Sequence, residues 1–177
     1  IMVTYQYDYG NVTRLNENKG IKHYFAPYFE RSALLGADLV LVTTERLQRK
    51  VEEMTGLPTI LLPNWVSLNG RNEFGKDLRK PRSILYAGRL HWGKGIHVLL
   101  EAFRIVQARV ADVSLVICGE GELRDEIENR ISVLGLQNVL LTGAVPHSEV
   151  MSRMRATEVF VLPTVTMEGH PKALIEA

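Results

Sequence analysis

The amino-acid sequence predicts an α/β fold in which βα units stack on parallel sheets, and two observations predict it. Apolar runs of strand length alternate with longer segments of helical period along the chain. One polar, turn-rich stretch from Pro63 to Arg82 interrupts that series and has no periodicity of its own. In chain order, strands are expected at Met2–Tyr7, Asp38–Thr43, Thr59–Leu62, Ser83–Ala87, Val113–Cys118, Asn138–Leu141 and Glu158–Leu162. Between them, helices are expected at about Lys22–Leu35, Glu45–Thr55, Ile96–Val110, Leu123–Leu134 and Ser148–Arg155, and another begins after Pro171. Ile96, Leu99, Leu100, Phe103 and Val106 recur at steps of three and four, so one face of that helix is apolar and lies on a sheet.

The interruption reads as a linker, because long structureless loops are uncommon inside a compact domain. Residues 1–66 are therefore expected to close one domain, 67–82 to link, and 83–177 to begin a second. The chain opens directly in a strand and stops about one turn into a helix, so both domains are expected to be incomplete.

Composition narrows the function. With 46% hydrophobic and 23% charged residues the chain is globular and not a disordered tail. Its 21 Lys and Arg nearly cancel 20 Asp and Glu, so no global field draws it to nucleic acid, and any anion site must be local. The single cysteine, Cys118, sits in an apolar run and is expected as a buried thiol. No apolar stretch approaches the length of a membrane span, and the expected setting is cytoplasmic.

Three stretches could carry chemistry. The first, Gly88-Arg89-Leu90-His91-Trp92-Gly93-Lys94-Gly95, follows a strand and opens a helix. Glycines let backbone amides approach an anion, the helix N-terminus adds partial positive charge, and Arg89 and Lys94 can neutralise phosphate oxygens. A Gly-rich turn with two solvated cations is the simpler reading of the same residues. The stretch nearly matches a P-loop, but Gly95 stands where that motif needs a hydroxyl for Mg2+, which argues against a nucleoside triphosphatase.

The second stretch is Gly119-Glu120-Gly121. Arg124 occupies the place of the third glycine of a dinucleotide fingerprint, so hydride transfer is not expected, and a tight strand-to-helix turn explains the pair. The third is Glu168-Gly169-His170-Pro171-Lys172-Ala173-Leu174-Ile175-Glu176. Pro171 suits the first turn of a helix, which would aim the amides around Gly169 and His170 at the carboxyl end of the preceding strand. Glu176 could accept two hydroxyl protons from a vicinal diol such as ribose. No Asp-x-Asp occurs, and the five histidines have no ligand spacing, so no metal site is expected.

The order of these motifs, G-R-L-x-x-x-K-G, then G-x-G, then Leu141-Thr-Gly-Ala-Val145, then E-x7-E with an internal Gly and Pro, resembles the donor half of family 4 glycosyltransferases. The likeness extends upstream through Ala37-Asp-Leu-Val-Leu-Val-Thr-Thr-Glu-Arg and Leu62-Pro-Asn-Trp-Val, which are similar to the close of that family's N-terminal domain. The resemblance implies a GT-B fold of two Rossmann-like domains and a retaining transfer of a hexose from a nucleotide-diphosphate sugar to a sugar, lipid-linked or glycan acceptor. No separate cofactor is implied. Arg89 and Lys94 would hold the donor diphosphate beside Gly88, Gly119 and Gly121, and Glu168, Gly169 and His170 would face the transferred sugar and phosphate. Glu176 would bind ribose, and Ala144 and Val145 would lie beside the base. The full-length protein would work in the cytoplasm, with peripheral association at the cytoplasmic face of a membrane left open. Gln6 departs from the pattern, since family members often carry a His near the end of that strand. Two rivals follow: a nonhydrolysing sugar-nucleotide epimerase, and a noncatalytic nucleotide-binding subunit of a glycosyltransferase complex.

Overall fold

The computed structural model describes residues 2–5, 21–66, 80–166, 168, 169 and 171–177. Gln6 and His170 lie outside the described residues, as does most of the expected linker. The chain divides into two compact units, one of Ile1–Trp65 with Thr166–Lys172 and one of Val66–Val165 with Ala173–Ala177. The expected partition gave all of 83–177 to the second domain, whereas the contacts group Thr166–Lys172 with the first unit.

The first unit contains β1 (Met2–Tyr5), α1 (Ile21–Leu35), β2 (Leu39–Val42), α2 (Glu45–Thr55) and β3 (Thr59–Leu61). Its strands are parallel in the order β1-β2-β3. Tyr5, Leu34, Val40, Val42, Leu47 and Val51 form its core. Local signals set the ends of α2: Thr44 caps it by accepting from the Leu47 amide at 3.2 Å, and Gly56 closes it in the left-handed region at φ +70. Helix α1 runs through Pro27, so helical period overrode the usual breaker. Tyr5 donates to Glu30 of α1, and Lys50 of α2 reaches the Tyr5 oxygen at 2.7 Å, tying both helices to β1.

The second unit holds β4 (Lys80–Ala87), α3 (Ile96–Gln107), β5 (Ser114–Cys118), α4 (Arg124–Val133), β6 (Val139–Gly143), α5 (His147–Ala156) and β7 (Thr157–Phe160), and α6 (Lys172–Glu176) from Ala173 onward. All pairings are parallel, and the order is β6-β5-β4-β7. Strand β4 is buried on both faces, as a parallel strand between two layers of helices should be. Tyr86 points to a core shared with Leu90, Leu99, Leu100 and Phe103 of the β4–α3 segment and Ile127 of α4. Leu85 and Ala87 point the other way, to Cys118 and to Val150 and Met154 of α5.

Most element boundaries agree with the sequence to within two or three residues. Strand β4 begins earlier than expected, at Lys80, within the stretch read as linker. Pro81 cannot donate to a ladder, and the pairing with β7 is irregular between Lys80 and Ile84, which is why the sequence hid this start. Helix α3 ends at Gln107, three residues early, where the chain tightens and the Arg109 amide turns back three residues to the Val106 carbonyl at 2.9 Å. Cys118 is a buried free thiol, as its apolar run implied. No described helix is long and apolar enough to cross a membrane.

Candidate functional site

Strand order reverses at β4: the chain steps outward through β5 and β6, then returns to place β7 on the other side of β4. Open α/β sheets take ligands outside the carboxyl ends of the strands at such a point. The Gly88–Gly95 loop leaves β4 there, and the residues that follow β7 lie against it.

Three fixed points shape this loop. The fully buried Tyr86 donates its phenol hydrogen to the Arg89 carbonyl at 2.8 Å from beneath. Leu90 is buried as a pin, its amide donating to Glu120 at 2.9 Å and its carbonyl accepting from Leu123 at 3.2 Å. His91 caps the next turn, with Nδ1 accepting from the Gly93 amide at 3.0 Å, and its Nε2 lies 3.5 Å from Glu122. A short 3-10 helix, Trp92–Lys94, follows where the sequence suggested only loop, and Gly95 then turns left-handed into α3. Pinned on both sides, Arg89 stays exposed and makes no ion pair among the described residues. Lys94 is half-buried. Gly95 is the N-cap of α3 and offers no side chain, so the first amides of this helix have no side-chain partner at their end.

The glycines serve packing between loops, which the sequence reading did not foresee. A Cβ on Gly119 would come within 1.9 Å of the Gly88 carbonyl oxygen, and one on Gly121 within 2.3 Å of that of Leu90. The G-x-G turn after β5 is thus pressed backbone to backbone against the β4 loop. On the other side, a Cβ on Gly95 would lie 2.0 Å from the Pro163 carbonyl oxygen. Val165 and Thr164 both donate to the Gly93 carbonyl there, at 3.0 and 2.9 Å.

The remaining expected residues fall in different places. Gly143 ends β6 at φ +74, and its carbonyl accepts from the Gly119 amide at 2.9 Å. Ala144 is exposed, while Val145 packs half-buried against Leu85, Ala87 and Cys118. Glu176 on α6 lies 3.1 Å from His147 Nε2 at the start of α5. Glu168 and Gly169 are half-buried in the segment that groups with the first unit. The second unit therefore brings Gly88, Arg89, Lys94, Gly119 and Gly121 together at the ends of β4 and β5, and joins Glu176 to the residues after β6. Among the described residues no group of His, Cys, Asp and Glu is arranged to hold a metal ion.

Sequence reasoning missed Tyr86, Leu90 and His91. A tyrosine in a strand buried on both faces needs a partner for its hydroxyl, and that signal was available. The pin at Leu90 and the cap by His91 depend on residues brought from β5 and from the turn itself, and carry no local signature.

An exposed guanidinium, a half-buried ammonium and a helix N-terminus without a side-chain cap fall at the switch point of a parallel sheet, and such groups carry the positive charge that suits an anion. That is the build of a Rossmann-like α/β protein. The family model "Glycosyl transferases group 1" matches residues 71–177, and the chain belongs to that family. A teichuronic acid biosynthesis glycosyltransferase of Bacillus subtilis, TuaC, carried as putative, is 30% identical over 88% of this chain and 40% of its own length. The alpha-D-kanosaminyltransferase of Streptomyces kanamyceticus is 28% identical over 78% of this chain and 40% of its own. The chain thus spans about two fifths of the length of these curated relatives. Among solved structures, S. aureus TarM in complex with fondaparinux, alpha-GlcNAc-glycerol and UDP superposes with a TM-score of 0.79 at 20% identity, covering 99% of this chain and 34% of TarM. HepE of Anabaena in complex with UDP-glucose gives 0.75 at 16% identity, over 99% and 50%. These likenesses show the fold, the parallel α/β architecture of GT-B glycosyltransferases.

Proposed function

We propose that the whole protein transfers a hexose from a nucleotide-diphosphate sugar to an acceptor hydroxyl, with retention of configuration and without a metal ion, and that the Gly88–Gly95 loop holds the donor diphosphate. The observation that carries this reading is the exposed Arg89, without an ion pair among the described residues, in one loop with Lys94 and leading into the N-terminus of α3, which has no side-chain cap. Solved neighbours are named as complexes of UDP or UDP-glucose, which supports a nucleoside diphosphate as the ligand. Arg89 and Lys94 stabilise the charge that builds on the leaving diphosphate, and such stabilisation is commonly the largest single term in catalysis. Gly88, Gly119 and Gly121 shape the floor beneath them. Glu168, Gly169 and His170 face the transferred sugar, Glu176 binds ribose, and Ala144 and Val145 flank the base. The acceptor hydroxyl attacks from the face that the diphosphate leaves, giving retention. Metal independence rests on the sequence, which has no Asp-x-Asp and has Gly95 where a P-loop carries its Mg2+-binding hydroxyl. The acceptor is a sugar, a lipid-linked sugar or a glycan, handled in the cytoplasm or at its membrane face.

The test is calorimetry of the full-length protein against UDP, GDP and ADP and their nucleosides. Replacing Arg89 and Lys94 together by Ala removes two charge-assisted contacts of roughly 1.5–3 kcal/mol each from the diphosphate alone. Diphosphate affinity should fall by about two orders of magnitude or more while nucleoside affinity holds. Equal weakening of both would move the phosphates elsewhere, and binding that disappears with EDTA would overturn the metal-free site.

A further inference from the structure

Glu176 lies on α6 (Lys172–Glu176). A carboxylate that accepts from both hydroxyls of a vicinal diol must present its two oxygens in one orientation. The structure supplies such a constraint from another βα unit: His147, 29 positions away, brings Nε2 to 3.1 Å from Glu176 Oε1. No other side-chain hydrogen bond or ion pair reaches Glu176 among the described residues. His147 follows Pro146, whose extended backbone at ψ 146 ends the turn after β6, and it opens α5 with its side chain 69% exposed. The Glu176 side chain is only 18% exposed. The imidazole therefore approaches from solvent and reaches down to a more sheltered carboxylate.

We propose that His147 is a positioning residue for ribose recognition, holding the Glu176 carboxylate in the orientation that accepts the 2′ and 3′ hydroxyls of a nucleoside diphosphate. The inference rests on the reading of Glu176 as the ribose partner. His147 Nε2–H donates to Oε1, which leaves the second lone pair of Oε1 and both of Oε2 for the diol. Each ribose hydroxyl then donates to its own oxygen. Without the imidazole the carboxylate samples several rotamers, and each productive encounter pays the entropy of choosing one. His147 touches no phosphate in this arrangement, so its influence is confined to ligands that carry the diol.

The experiment compares, by calorimetry on the full-length protein, the tightest binder among UDP, GDP and ADP with its 2′,3′-dideoxy form. His147→Ala should weaken the ribose form by about three- to tenfold, the loss expected for one hydrogen bond that orders a charged group, and leave the dideoxy form unchanged. The preference for ribose over dideoxyribose shrinks accordingly. His147→Gln, whose amide nitrogen can donate along the same line, should restore most of it. In a Glu176→Gln background, His147→Ala should have no further effect, because the two residues act as one unit. An unchanged preference in His147→Ala, or equal weakening of both ligands, would reduce the pair to a tie between α5 and α6 and overturn the proposal. A preference that survives Glu176→Gln would instead overturn the ribose role of Glu176 and this inference with it, a separate and recognisable failure.

Discussion

Gly95→Ala tests whether the loop after β4 and the segment after β7 are clamped together as described. Gly95 sits at φ +67, where an alanine costs about 1–2 kcal/mol from Cβ sterics alone. Its Cβ would also lie 2.0 Å from the Pro163 carbonyl oxygen, a backbone atom that can move only with its segment. That shift pulls Thr164 and Val165 off the Gly93 carbonyl, breaking two hydrogen bonds of about 0.5–1.5 kcal/mol each. The combined destabilisation should be on the order of 2–5 kcal/mol. Gly135 provides the control, because its φ of +62 is nearly the same and nothing lies within 4 Å of its Cβ direction. Gly135→Ala should therefore show the backbone penalty only. Both residues belong to the second unit, so urea unfolding followed by Trp92 fluorescence in a Trp65→Phe background reports on the same structure in each variant. If Gly95→Ala costs no more than Gly135→Ala, the two segments are not in contact in solution and the clamp is wrong.

Three further outcomes follow from the same unit. Tyr86→Phe removes the bond to the Arg89 carbonyl while keeping the ring, so stability should fall by about 1 kcal/mol and the Arg89 and Leu90 amides should exchange faster, measured by hydrogen exchange. Glu101 on α3 accepts from Arg130 on α4, and that hydrogen bond is the main reason its carboxyl titrates below the ordinary glutamate range. A depressed folded value stabilises the protein above the unfolded value, about 4.3, and the benefit is lost as pH falls through the folded one. Glu101→Gln should thus lower the urea midpoint slightly at pH 7, lose that difference in strong acid, and show little of it in 1 M salt, since the group is exposed. Cys118 should react with a thiol reagent only as fast as the second unit opens, because it is 2% exposed; rapid labelling of the folded protein would contradict the packing against Leu85 and Ala87.

The elements were legible because each is written in local terms. Helix α2 is bounded by Thr44 and Gly56, and α3 carries its apolar face at steps of three and four. The apolar runs of β4 and β5 read as strands of βα units on a parallel sheet. The candidate loop was legible as a composition of glycines and cations, but its architecture was not. Gly95 was read as part of an anion loop, and Gly119 and Gly121 as a tight strand-to-helix turn; each also makes room for the backbone of another loop, and which loop depends on strand order. The bond between His147 and Glu176 was invisible for the same reason: nothing in a separation of 29 positions says that two side chains meet.

The return of β7 to the side of β4 also fixes a sequence of events in time. Ser83 and Glu158 are joined across that pairing although they stand 75 positions apart, and Thr164 reaches back 71 positions to Gly93. Local pairings close early in folding, whereas contacts across such distances wait for the intervening chain to be ordered. During synthesis β4 can meet β5 well before β7 has left the ribosome, since domains fold from the N-terminal side. The loop that carries Arg89 and Lys94 is therefore made early and braced late, so its final shape is set by residues translated long after it.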